Sequence, residues 1–246
     1  MSKLVSGFRE RHAFLVDHVN RLAALGDGAY TLPDAAQLLG LPQARLRKWV
    51  RGVVHIDERG TPIRRFPVGS LSSSGEGLDR HFDFPTLIEL FSVAQLRQRG
   101  VTMNTLRQAR NELSIRFETR YPFALRGLLT NGKKLLKELG DSALLELGTG
   151  GQTAFEDVLD PFCHRLDFDS TSQLVSRFYP EGRHSCIVVD PQHSFGRPVI
   201  VGTNLTTQAI AQLIRGGEHL EMVADDFQLP VGHVQEAWQF EQKLAA

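Results

Sequence analysis

The chain has 246 residues, 41% of them hydrophobic and 23% charged, which is the balance of an ordinary globular protein with length for one large domain or two small ones. No stretch approaches the ~20 consecutive apolar residues that cross a bilayer, and Met1-Ser-Lys-Leu-Val-Ser-Gly-Phe-Arg-Glu-Arg-His12 places charges where a signal peptide needs an apolar run, so a cytoplasmic location is expected. The formal net charge is zero, yet residues 1–134 hold 21 Lys and Arg against 12 Asp and Glu (+9), and residues 135–246 hold 7 against 16 (−9). A basic half suits a polyanion, and an acidic half faces something else.

Residues 2–25 read as a helix, with Leu4, Phe8, Leu15, Val19 and Leu22 recurring at helical steps. It is either a core helix or a dimerisation helix, and Gly26-Asp-Gly28 ends it. Thr31 is positioned to cap a short helix with Pro33 in its first turn. Gly40 permits a sharp turn, and Pro42 opens a second helix in which Leu46, Trp49 and Val50 face inward. Residues 53–56 and 62–66 flank Asp57-Glu-Arg-Gly60, the pattern of a β-hairpin. Residues 70–77 have loop composition. Helices are expected over 84–99 and 102–113, the latter bearing Arg107 and Arg110, with Gly100 between them. A hairpin or strand–turn–helix is expected from Phe123 and another helix over 151–166. From Arg183 two strands punctuated by Gly and Pro, Cys186-Ile-Val-Val-Asp-Pro191 and Phe195-Gly-Arg-Pro-Val-Ile-Val-Gly202, precede three short helices, the first capped by Thr206 or Thr207.

Ala35-Ala36 with Leu39-Gly40-Leu41, Leu46-Arg47-Lys48-Trp49, and Leu96-Arg97-Gln98-Arg99-Gly100-Val101-Thr102 with Leu106-Arg107 resemble the DNA-binding head of MerR-type regulators. In that family the residues matching Arg47 and Lys48 lie on the recognition helix near phosphate. Val188-Val-Asp-Pro191, Phe195-Gly-Arg-Pro-Val-Ile200, Gly202-Thr203, Val223-Ala224 and Phe227-Gln-Leu-Pro230 resemble a short bacterial domain typical of antitoxins encoded beside PIN-like ribonuclease toxins. Together, head and tail are similar to a VapB-type antitoxin subfamily, weakest from 135 to 180. In those relatives the position after Gly202-Thr203 is commonly arginine, and here it is Asn204.

Arg45, Arg47, Lys48, Arg51, Arg59, Arg64 and Arg65 supply phosphate neutralisation, and Gln43 and Arg45, at the start of the recognition helix, are the candidates for base edges. In the acidic half Asp167 and Asp169 read as solvated carboxylates. Cys163 and Cys186 read as buried free thiols without zinc-finger spacing, and His193 and His233 as lone histidines. There is no phosphate-binding Gly loop, nucleophile elbow or His-Glu-x-x-His. Neither enzyme activity nor a cofactor is expected. Trp238 and Phe240 are two positions apart and cannot share a helical face, so one of them is expected to face a partner.

The expected fold is mainly α. It comprises an N-terminal helix (1–28), a winged helix-turn-helix head (29–134), a helical connector (135–182) and a C-terminal helix-turn-helix-like unit with short strands (183–246). The family resemblance implies an antitoxin that neutralises a PIN-like ribonuclease and, as a homodimer on palindromic operator DNA, represses its own operon. Arg197 or Arg215 would enter the toxin's carboxylate cluster, beside Trp238 and Phe240. The alternative is a MerR-like transcription regulator whose acidic half senses a small-molecule effector.

Overall fold

The computed structural model describes residues 28–51, 53–56, 62–65, 82–98, 100–126 and 163–245. The expected helix over 2–25, the loop over 70–77 and most of the helix over 151–166 lie outside them.

Helix α1 (Leu32–Leu38) starts at a reciprocal cap: the Thr31 hydroxyl accepts from the Asp34 N–H at 3.3 Å, and the Asp34 carboxylate accepts from the Thr31 N–H at 2.9 Å. It stops at Gly40, whose φ of +59° lets the Leu41 N–H return to the Ala36 carbonyl at 2.9 Å. Helix α2 (Gln43–Arg51) follows at once, burying Leu46 and Trp49 three positions apart. Strands β1 (Val53–Ile56) and β2 (Pro62–Arg65) pair antiparallel, Val53 opposite Arg65 and Ile56 opposite Pro62, as the hairpin pattern predicts.

Helix α3 (Phe84–Gln98) is the centre of the first core. It buries Leu87, Ile88, Leu90, Val93 and Leu96, and with them the polar Glu89 and Ser92. A helix buried on nearly all sides must satisfy such groups internally. Helix α4 (Met103–Arg116), capped by Thr102, sends Arg110 to Glu89 at 3.0 Å. A 3-10 turn (Pro122–Ala124) brings the Phe123 N–H to the other Glu89 oxygen at 3.1 Å, while Ser92 donates to the Phe123 carbonyl at 3.0 Å. Burial outweighs the arginine and raises the Glu89 pKa to about 7.

Four strands then form one antiparallel meander in the order β3 (Leu166–Phe168), β4 (Val175–Phe178), β5 (Ile187–Val189) and β6 (Pro198–Ile200). The expected helical connector is corrected here: its described part, from 163 to 182, is chiefly a β-hairpin. Asp169 accepts from the Thr171 and Ser172 N–H groups and turns the chain between β3, Leu-Asp-Phe, and β4, Val-Ser-Arg-Phe, of which Leu166, Val175 and Phe178 are buried. Of the segment expected from Phe123 as a hairpin or strand–turn–helix, only residues 123–126 are described: Pro122–Ala124 is a 3-10 turn and Leu125 forms an isolated bridge with Leu174, while the expected turn at 130–133 lies outside the described residues.

Helices α5 (Thr207–Arg215), α6 (Leu220–Asp226) and α7 (Val231–Ala245) close the chain. Thr206 caps α5 by accepting from the Ala209 N–H at 3.2 Å. The sheet serves two cores. Leu166, Val175, Phe178 and Val189 join the cluster of α1 to α4, whereas Cys186, Ile187 and Ile200 join Ile210, Val223, Val234 and Phe240. Head and tail also touch directly: the Gln37 amide donates to the Leu244 carbonyl at 2.6 Å, and the Ala29 N–H to the Phe195 carbonyl at 3.1 Å. The described residues therefore make a mixed, mainly helical structure of seven α-helices, a two-stranded hairpin and a four-stranded sheet.

Candidate functional site

Two surfaces carry the sequence-predicted residues. The first is the outer side of α2. Because Leu46 and Trp49 turn inward, Gln43, Arg45, Arg47 and Lys48 are all exposed. Arg51 ends the helix, and Arg64 and Arg65 sit on β2 opposite Val54 and Val53, so the backbone gathers these basic positions around one helix and the hairpin after it. Arg59 lies between the strands, outside the described residues.

The second surface lies where α1 meets the tail. Arg197 and Arg215 line a cleft of about 570 Å³ together with Tyr30, Asp34, Phe195 and Glu241. Arg215 holds its guanidinium 5.4 Å from the centre of the Trp238 ring, a cation–π contact that orients both side chains. Trp238 is partly exposed. Phe240 is corrected as a candidate for partner contact: only 3% exposed, it belongs to the C-terminal core, packed with Ile210 and Val234. The two-residue offset did separate the aromatics, and the one turned outward is Trp238.

Sequence reasoning missed Phe195 and Tyr30 as site residues. Phe195 is 63% exposed on a left-handed backbone, with φ of 58° following 46° at Ser194. The Ser194-Phe195-Gly196 context was the available signal, since a bulky residue wedged against glycine in a tight turn takes such angles rarely. Tyr30 is 2% exposed, and its hydroxyl has no hydrogen-bond partner among the described residues.

The remaining polar groups of the acidic half build structure. Asp190, nearly buried, accepts from Arg177 at 2.7 Å, from the Gln192 N–H at 2.9 Å and faces His193 at 3.1 Å, so His193 is not the lone histidine expected. Asp167 accepts from the Tyr179 hydroxyl at 2.9 Å and from Arg183 at 2.5 Å, and Asp169 is held below the usual carboxylate range by its hydrogen bonds to Ser172. Cys163 and Cys186 are free thiols; burial and the neighbouring Glu236 push Cys186 up to about 12, which makes it a poor nucleophile.

Residues 187–240, from β5 into α7, match the family model of a protein of unknown function, DUF433. The chain is 22% identical over 209 residues to "Putative antitoxin VapB45" of Mycobacterium tuberculosis, covering 80% of this chain and 87% of that protein. It is 28% identical over 228 residues to the same organism's uncharacterised protein Rv2308, covering 87% and 90% respectively. The X-ray crystal structure of Rv2018 from that organism superposes with a TM-score of 0.64 at 20% identity, over 85% of this chain and 95% of that one, and so shares the fold. Among the described residues no helix is long and apolar enough to cross a membrane.

Proposed function

We propose that this protein is the antitoxin of a toxin–antitoxin pair, with a DNA-binding head and a partner-binding tail. The observation that carries the reading is the similarity to "Putative antitoxin VapB45", which extends over 80% of this chain rather than one motif. The geometry supplies a division of labour. Helix α2 is the recognition helix of a MerR-like helix-turn-helix and the β1–β2 hairpin is its wing. Arg47, Lys48 and the further basic positions Arg51, Arg59, Arg64 and Arg65 neutralise operator phosphates, while Gln43 and Arg45 reach base edges in the major groove. A homodimer would match a palindromic operator. The protein acts by binding and not by catalysis.

In the tail the partner is a PIN-like ribonuclease whose carboxylates hold a divalent cation. Arg197 and Arg215 are the exposed cations beside an exposed aromatic, Phe195, and a partly exposed one, Trp238. Interfaces concentrate their energy in residues of these types. The acidic surroundings suit the basic RNA groove expected beside such a nuclease centre. The test is co-expression with the product of the adjacent gene. The full chain should relieve that product's growth inhibition, and Arg197→Ala or Trp238→Ala should weaken the complex by about 30-fold, as for a loss of about 2 kcal/mol at a buried anchor. Absence of any complex with the wild-type chain would overturn the reading.

A further inference from the structure

The cleft between α1 and the tail holds several side-chain donors without a partner. Each of its carboxylates is engaged at one oxygen: Asp34 Oδ2 receives the Thr31 N–H and the Thr31 hydroxyl, and Glu241 Oε1 receives the Thr207 hydroxyl at 2.5 Å. The Tyr30 hydroxyl is buried without a partner, and the exposed Arg197 side chain makes no hydrogen bond or ion pair among the described residues. Arg215 is fixed by stacking on Trp238, which leaves its N–H edges uncommitted. Arginine offers only donors. A buried hydroxyl left without a partner is costly, so its persistence at the wall of a cleft points to an acceptor that comes from outside.

Size, charge and shape narrow the class. A volume of about 570 Å³ falls in the range of small-molecule sites, roughly 300–1,000 Å³. The lining carries Arg197 and Arg215 against Asp34 and Glu241, which balances to zero and disfavours polyvalent anions. Phe195 stands 63% exposed beside Arg197 on a left-handed backbone, a strained arrangement that keeps an apolar ring at the cleft. We propose that this cleft binds a small monocarboxylate with an apolar or aromatic body. Its carboxylate is held by Arg197 and Arg215 and accepts from the Tyr30 hydroxyl, and its body lies against Phe195. Burial, with Asp190 and Asp34 nearby, raises the Tyr30 pKa well above 10.0, so the hydroxyl keeps the proton it donates. Such a ligand bridges α1 of the head to the tail and couples occupancy of one to the position of the other. The site shares Arg197 and Arg215 with the proposed toxin-binding surface, but its test needs neither a partner protein nor DNA, so the two readings fail separately.

Titration calorimetry on the full chain alone tests it, with benzoate, phenylacetate and hexanoate as probes and benzamide and inorganic phosphate as controls. A fragment of about nine heavy atoms with ordinary efficiency per atom gives a dissociation constant on the order of 1 mM. At least one carboxylate should saturate in that range, with benzamide and phosphate at least tenfold weaker. Arg197→Ala, an exposed position whose loss spares the core, should weaken that probe at least tenfold, and Tyr30→Phe severalfold. The proposal is overturned if no carboxylate saturates, if benzamide or phosphate binds as well, or if Arg197→Ala binds like the wild type.

Discussion

Gly196→Ala probes the contact between head and tail. Gly196 has a φ of +79°, and a Cβ built there would stand 2.1 Å from the Tyr30 hydroxyl oxygen, 2.7 Å from Tyr30 Cζ and 3.3 Å from Gly28 Cα. The ring cannot swing aside. It is 2% exposed and packs with its centroid 6.3 Å from that of Phe84. The left-handed backbone alone costs about 1–2 kcal/mol for a residue with a Cβ, and overpacking adds about 1–3 kcal/mol. The sum, about 2–5 kcal/mol, lowers the melting temperature by roughly 4–20 °C in a chain of this size. Tyr30→Phe alone should stabilise the free protein by about 1–3 kcal/mol, because it removes a buried hydroxyl that has no partner among the described residues. In the Tyr30→Phe background the worst contact, at 2.1 Å, disappears and the one to Cζ at 2.7 Å remains. Gly196→Ala should therefore cost about 1 kcal/mol less there. Urea unfolding of the four proteins gives the coupling directly. Additivity within about 0.3 kcal/mol would refute the packing argument and, with it, the close seating of α1 on the tail.

Glu89 gives a pH signature. Its folded pKa is raised from 4.5 to about 7, so the protonated carboxyl favours folding; that stability is complete below 4.5 and is lost as pH rises through about 7. Between pH 5 and 8 the wild type should lose up to about 3 kcal/mol relative to Glu89→Gln. Urea midpoints at several pH values check this, and parallel curves would contradict it. Asp190→Ala should cost about 1–3 kcal/mol by releasing Arg177 and the turn at Gln192, with Arg177, which is half exposed, recovering water contacts and limiting the loss. DNA binding by the α2 surface should weaken about 10³–10⁵-fold between 50 and 200 mM salt if 6–10 phosphates are contacted. Within that surface, Arg47→Ala should weaken operator and random DNA alike, whereas Arg45→Ala should cost about 1–3 kcal/mol on the operator alone. A flat salt response, or equal losses for both variants on both DNAs, would sink that assignment.

Elements whose signals are local were legible from the sequence. Thr31 and Pro33 announce the start of α1, Gly40 its end, Thr206 or Thr207 the cap of α5, and the Leu46–Trp49 spacing the inward side of α2. The β3–β4 hairpin was not legible, because its strands are three and four residues long and pair across a shift at Asp167 and Phe168, too short for alternation to declare itself. The cleft was only half legible. From the sequence Arg197 and Arg215 stand out only as side chains for a toxin's carboxylate cluster; that they line one cleft with Tyr30 depends on α1 docking against α7 through Gln37 and Leu244, residues 207 positions apart. Contacts of that range leave no periodic trace. The same holds for Phe240, whose core position follows from how α7 lies on α5 and not from its own neighbours.

The antitoxin reading meets its most direct test in a stoichiometric inhibition assay. The purified full chain is titrated into the purified product of the adjacent gene while cleavage of a fluorescent RNA is followed. The account predicts that cleavage falls to zero at a fixed molar ratio, that Arg197→Ala shifts the inhibition curve by about 30-fold, and that Glu89→Gln, remote from the tail surface, does not move it. Undiminished cleavage at a large excess of the wild-type chain would contradict it.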